Sequence, residues 1–123
     1  MPTIDELLAK ARAKLDRVRA EDLGDEVAAG AMLVDVRPIE ERQRDGELEG
    51  AIVIDRNVLE WRLAPSSKDR IVDVAPQERV IVVCTDGYQS SLAAATLQRL
   101  GLHGATDLIG GYRAMIGLED EGG

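Results

Sequence analysis

Phenylalanine is absent from this 123-residue chain, and one Trp and two Tyr bring the aromatic share to only 2%. The core must therefore be packed from Ala, Val, Ile and Leu, within a composition of 45% hydrophobic and 31% charged residues that suits a globular domain. A single cysteine, Cys84, excludes an intrachain disulfide and a dithiol redox centre. No apolar run approaches the roughly 18 residues of a membrane span. Basic residues are scarce relative to acidic ones, 15 against 23, and the net charge of -8 disfavours long-range attraction to nucleic acid or to an anionic membrane. Met1 to Glu6 offers neither a basic nor an apolar leader segment, so a soluble, cytoplasmic protein is expected.

What is present alternates between helix and strand patterns. Thr3 and Glu6 form a capping-box pair, and Ile4, Leu7, Leu8, Ala11, Leu15 and Val18 recur at helical spacing, which predicts an amphipathic helix of about four turns. Its other face, with Lys10, Arg12, Lys14, Asp16, Arg17 and Arg19, reads as solvated. Asp22 to Ala29 predicts a short helix ended by Gly30, and Ala31 to Val36 a strand covered on both faces. A charged helix from Pro38 to Asp45 leads through the turn Gly46 to Gly50 into a second buried strand, Ala51 to Ile54. Val58 to Leu63 reads as a short helix and Ser66 to Gln77 as surface loop. Arg79 to Cys84 is the strongest strand pattern, followed by a polar loop and a helix from Ser90 to Leu100 that Gly101 closes. Ala105 to Ile109 predicts a last strand, Tyr112 to Gly117 a last helix, and an acidic tail follows that should fray. Buried strands alternating with helices imply an α/β domain with a mostly parallel sheet and helices on both faces.

In such sheets ligands gather beyond the carboxyl ends of the strands, which is where Cys84 falls. The loop Thr85-Asp86-Gly87-Tyr88-Gln89-Ser90 contains a glycine able to turn sharply and then enters a helix whose first N–H groups lack helical partners. Those donors and the positive helix end favour an anion, and the thiolate is the reactive form of cysteine. Asp86 opposes this with a nearby negative charge. On the residues alone two readings stand: a reactive thiol, or a small buried hydrophobe at the end of an apolar strand. The polar, glycine-bearing loop is what an inert core cysteine would not need.

Asp35-Val36-Arg37, Gly46 with Gly50-Ala51, Val82-Val83-Cys84 with Gly87 and Ser90, Ala93-Ala94-Ala95 with Leu97, and Leu108-Ile109-Gly110-Gly111 occur in an order that resembles a single-domain rhodanese-like protein, from about Asp22 to Ile116. The chain then divides into an N-terminal helix (1–20), a rhodanese-like domain (21–118) and a tail (119–123). The resemblance implies a sulfurtransferase or persulfide carrier, with Cys84 taking a sulfane sulfur from a small donor and passing it to a thiol, a protein acceptor or cyanide. It implies no metal and no organic cofactor. It makes Thr85, Asp86, Gly87, Tyr88, Gln89 and Ser90 the substrate-binding loop. The alternative is a binding or sulfur-sensing module of the same fold.

Two departures stand out. The family often has Arg or Lys two residues after the loop glycine, where this chain has Gln89, so thiosulfate is expected to be a poor donor. Where the family commonly has Trp after Gly110-Gly111, this chain has Tyr112, Arg113, Ala114 and Met115. Arg56, just past the second strand, is the candidate to supply positive charge to an anionic donor. Arg37 is expected to pair with Asp35 or Glu40, and Asp35 to accept hydrogen bonds that hold neighbouring loops. His103 falls toward the opposite sheet edge, Trp61 either walls the site or anchors the core, and Tyr88 sits at the loop tip facing solvent or a partner. A phosphatase of related loop shape would need an arginine six residues after its cysteine, a position taken here by Ser90.

Overall fold

The computed structural model describes residues 1–118, and the tail expected to fray, 119–123, lies outside the described residues. In chain order the elements are α1 (Ile4–Arg12), α2 (Leu23–Ala28), β1 (Met32–Asp35), α3 (Ile39–Asp45), β2 (Ile52–Val53), α4 (Leu59–Leu63), β3 (Val80–Val83), α5 (Gln89–Arg99), β4 (Ala105–Asp107) and α6 (Gly111–Met115). Short 3-10 turns precede α2 and α4. The four strands form one sheet in the order β2-β1-β3-β4, and each neighbouring pair is parallel.

β3 lies inside the sheet and its four side chains are fully buried. Its alternation explains the continuous apolar run: Val80, Val82 and Cys84 join the cluster formed with α4 and α5 (Leu59, Leu63, Ala93, Leu97), while Ile81 and Val83 join Leu23, Leu33, Leu108 and Tyr112 on the other face. Fully burying one such aliphatic side chain is worth about 1.5–3 kcal/mol, so a core without Phe needs many of them. A core of this kind also fixes where the carboxyl end of β3, and hence Cys84, emerges.

Three expectations are corrected. The first helix ends at Arg12, after which Lys14 and Leu15 close turns onto Ala11 and Arg12, and Val18 leaves the helix to form a parallel bridge with Leu108. Its apolar period ran on past the helix because Val18 is buried in the sheet's core, not on a helix face. The segment Ala51 to Ile54 is not a fully buried strand: β2 is two residues long at the sheet edge, and Val53 is 46% exposed. Trp61 neither anchors the core nor walls the site, being 58% exposed on a groove shared with Thr96 and Leu100, toward the far end of α5 from the Cys84 loop. His103 is exposed beyond the amino end of β4, as its place in the sequence suggested. No helix among the described residues is long and apolar enough to cross a membrane.

Candidate active site

Cys84 follows the last residue of β3 and is 2% exposed. The chain then folds back over the sulfur: the Gly87 N–H donates to Cys84 Sγ at 3.1 Å, and the thiol donates to Ser90 Oγ at 3.2 Å. Gly87 has φ of +86°, a left-handed conformation that a side chain would strain, so the glycine is required for the loop to return its amide to the thiol. α5 begins at Gln89, placing the amino end of an eleven-residue helix over the same loop.

The loop residues are not equivalent. Thr85, Gly87 and Ser90 are buried, Asp86 is half-buried, and Tyr88 and Gln89 are exposed. The Thr85 hydroxyl donates to the Glu41 carboxylate, tying the loop to α3. One Asp86 carboxylate oxygen is buried without a hydrogen-bond partner among the described residues. The Arg12 guanidinium stands 5.8 Å from the centre of the Tyr88 ring.

Below the thiol lies a fully buried carboxylate, Asp107 at the end of β4. Its Oδ2 accepts from the hydroxyls of Ser90 and Ser91, each at 2.7 Å, and Arg17 closes on both carboxylate oxygens at 2.8 and 3.2 Å. Arg12 donates from Nε to Ser91 Oγ at 3.1 Å and from Nη2 to the Gly87 carbonyl at 2.8 Å, and Arg17 Nη2 reaches that same carbonyl at 3.1 Å. The face read from sequence as solvated is thus split: Arg12 and Arg17 are half-buried against the loop, while Lys10, Lys14, Asp16 and Arg19 are exposed. Burial, followed by repulsion from Arg17, lowers the proton affinity of the Arg12 guanidinium below its ordinary value, and Asp107, Tyr88 and Cys84 pull the other way.

On the other side of the loop, α6 is laid against its backbone. The Tyr112 and Arg113 N–H groups donate to the carbonyls of Cys84 and Thr85 at 2.8 and 3.1 Å. A Cβ on Gly111 would sit 2.5 Å from both of those carbonyl oxygens, which explains the second glycine of Gly110-Gly111.

Asp35 and Arg37 lie at the carboxyl end of β1, whose Asp35 stands in register with Val83. The pair is buried: Arg37 Nε and Nη2 donate to the Asp35 carboxylate at 3.0 and 2.8 Å, Nη2 also reaches the Gly46 carbonyl at 2.9 Å, and the guanidinium lies 3.9 Å from the Tyr112 ring centre. Arg56 follows β2, which β1 separates from β3, and forms an i,i+4 ion pair with Glu60 at 2.9 Å. Sequence reasoning missed Arg12, Arg17, Glu41, Ser91 and Asp107. A carboxylate in the middle of the predicted buried strand Ala105 to Ile109 was the available signal, because a buried carboxylate demands a partner. Among the described residues no cluster of His, Cys, Asp and Glu is arranged to hold a metal ion.

Comparison with solved structures finds the same architecture repeatedly. A protein of unknown function from Rhodopseudomonas palustris, described as a possible tyrosine phosphatase, is 26% identical with a TM-score of 0.80, covering 95% of each chain. The human single-domain sulfurtransferase TSTD1 is 26% identical with a TM-score of 0.68, over 85% of this chain and 97% of that one. A rhodanese-related protein from Thermoplasma volcanium is 27% identical with a TM-score of 0.65, over 82% of this chain and 90% of that one. No curated protein matches the chain. The family model described as "Rhodanese-like domain" matches residues 19–117. That span runs from the approach to α2 through α6 and includes the whole Cys84 loop, so the chain belongs to the rhodanese-like domain family.

Proposed function

We propose that this rhodanese-like protein transfers sulfane sulfur through a persulfide on Cys84. The observation that carries the reading is the Gly87 N–H held 3.1 Å from Cys84 Sγ, at the amino end of α5. Fixed dipoles of this kind stabilise an anionic sulfur without reorganising. The thiolate attacks the outer sulfur of the donor, the donor's S–S bond breaks, and sulfite or a thiolate leaves with the electron pair. An acceptor thiolate or cyanide then attacks the terminal sulfur of the persulfide, and Cys84 regains its thiolate. This is nucleophilic catalysis through a covalent intermediate.

In this reading Thr85 and Ser90 shape the loop from its buried side, while Tyr88 and Gln89 meet donor and acceptor at its exposed tip. Gln89 offers hydrogen bonds but no charge, and Asp86 repels an anion, which favours a neutral or bulkier persulfide donor over thiosulfate. Asp35 and Arg37 support the site by tying the end of β1 to the Gly46 carbonyl and to the Tyr112 ring of α6. A free thiol suits a reducing compartment, which keeps the cytoplasm as the expected setting. The relative described as a possible tyrosine phosphatase raises phosphoryl chemistry, but the position such a loop fills with arginine is Ser90, which is turned to Asp107. The uncharged Gln89 beside Asp86 favours the second reading, a sulfur-sensing module that accepts sulfur without turning over.

Intact-mass measurement after exposure to thiosulfate, glutathione persulfide and polysulfide tests the reading directly. One added sulfur on the wild type and none on Cys84→Ser is the expected result, with thiocyanate formation from cyanide lost in the variant. Equal thiocyanate rates from both proteins would exclude Cys84 as the carrier. A stable persulfide that no acceptor discharges would select the sensing module.

A further inference from the structure

We propose that Arg12 and Arg17 are positioning residues of the sulfur site, pinning the Gly87 carbonyl so that the Gly87 N–H faces Cys84 Sγ. Both residues lie before the matched region of 19–117, in the segment that the family pattern does not describe.

Gly87 is the pivot. Its N–H belongs to the peptide that faces the sulfur, and its carbonyl belongs to the next peptide, so the two are related only through its own φ and ψ. Glycine is the residue least able to fix those angles by itself. Two guanidinium groups do it from outside: Arg12 Nη2 at 2.8 Å and Arg17 Nη2 at 3.1 Å both donate to the one carbonyl oxygen, closer than the Ser91 hydroxyl at 3.4 Å. Each arginine is fixed in turn. Arg12 also grips Ser91 Oγ, and Arg17 also grips Asp107, whose Oδ2 holds the Ser90 hydroxyl that accepts from the thiol. Charged groups reach the loop from several elements: Arg12, Arg17 and Asp107 through the bonds above, the Thr85-bound Glu41 from α3, and Arg113 of α6, whose N–H donates to the Thr85 carbonyl. The loop itself, from Thr85 to Ser90, contains no cation, and the two guanidinium groups on the Gly87 carbonyl both come from the N-terminal segment. Lysine cannot replace either arginine, because a single ammonium cannot span two partners as the guanidinium fork does.

The inference rests on Cys84 being the reacting thiol, and its test is chosen to be separable from that. The full-length protein, labelled with nitrogen-15, gives the Gly87 amide resonance; iodoacetamide gives the alkylation rate of Cys84 at neutral pH; thiosulfate and cyanide give sulfur transfer. Arg12→Ala is expected to move the Gly87 resonance, slow alkylation several-fold and lower transfer on the order of tenfold, less than the roughly 100- to 1000-fold that removing a fixed donor outright costs. Arg12→Lys is expected to recover only part of each change. Arg19→Ala, which loses only an exposed ion pair with Glu21, should match wild type in all three. Arg17→Ala would leave Asp107 without its cation, so Arg17→Lys carries that arm and should show the same displaced Gly87 signal in a folded protein. A Gly87 resonance and an alkylation rate unchanged in Arg12→Ala and Arg17→Lys would overturn the proposal. If wild type takes up no sulfur, the transfer reading falls, while the amide signal and alkylation still decide the role of the arginines.

Discussion

Arg17 and Asp107, 90 positions apart in the chain, meet in a two-point ion pair, with Nε 2.8 Å from Oδ1 and Nη2 3.2 Å from Oδ2. The backbone next to them explains the meeting. Val18 N–H donates to the Asp107 carbonyl at 2.9 Å and the Val18 carbonyl accepts from Ile109 N–H at 2.8 Å, so the residue before Val18 is delivered beside Asp107. Local backbone pairing thus places a cation next to the buried carboxylate that supports the thiol's partner, Ser90.

Asp107→Ala should therefore destabilise the fold by about 3 kcal/mol, near the lower end for breaking a buried pair because the Arg17 side chain keeps 13% of its exposure. Besides the ion pair, the Ser90 and Ser91 hydroxyls lose their acceptor. Urea unfolding read by circular dichroism would show a lower midpoint with an unchanged slope. A loss below about 1 kcal/mol would mean that the pair is no more than a surface contact.

Gly111→Ala is predicted to damage stability and the Cys84 loop together. The new Cβ would approach the Cys84 and Thr85 carbonyl oxygens to 2.5 Å from a residue at φ of +64°. Neither partner is a side chain that can swing away, so the loop backbone or α6 must move, at a cost of about 2–4 kcal/mol from overpacking and strained φ combined. The check is a thermal melt alongside Cys84 alkylation. A fall in melting temperature with an undisturbed alkylation rate would show that α6 yields and the loop does not.

Gln89→Arg should lower the KM for thiosulfate, because Gln89 is exposed at the first position of α5 and a guanidinium there adds the charge the loop lacks. Arg56→Ala is the paired measurement. Arg56 already spends its charge on Glu60, and losing that i,i+4 pair should cost only about 0.3–0.5 kcal/mol of stability. Steady-state kinetics separate the two: a KM that falls with Gln89→Arg and holds with Arg56→Ala places donor recognition at the loop tip. The reverse pattern would place it at Arg56.

Where the sequence was legible, one local pattern was enough. Val80 to Val83 is apolar at every position because both faces of β3 are covered, and the Cys84 loop stood out because a glycine and polar residues interrupt two apolar elements. Gly110-Gly111 could be seen as a marker but not explained, since its reason is the backbone of Cys84 and Thr85, distant in sequence. Arg12 and Arg17 were illegible for the same reason. Helical periodicity assigns a residue to a face of its own helix and says nothing of a loop 70 or 75 positions later. The period also carried the helix on to Val18, whose burial belongs to the sheet. Trp61 shows the opposite error: a lone large aromatic invites a core assignment, but aliphatic side chains had already filled both faces.

The bridge between Val18 and Leu108 has a consequence for association between copies of the protein. A parallel sheet exposes unpaired backbone at its two outer strands, and such rims recruit other chains. Here β2 offers only two residues at one rim, and at the other the Val18 backbone occupies groups that Asp107 and Ile109 would otherwise present. Removing the residues up to Val18 would therefore do more than strip the arginines from Gly87. It would uncover the β4 rim, and a shortened protein of this kind is expected to associate more readily than the 123-residue chain at matched concentration, as sedimentation of the two would show.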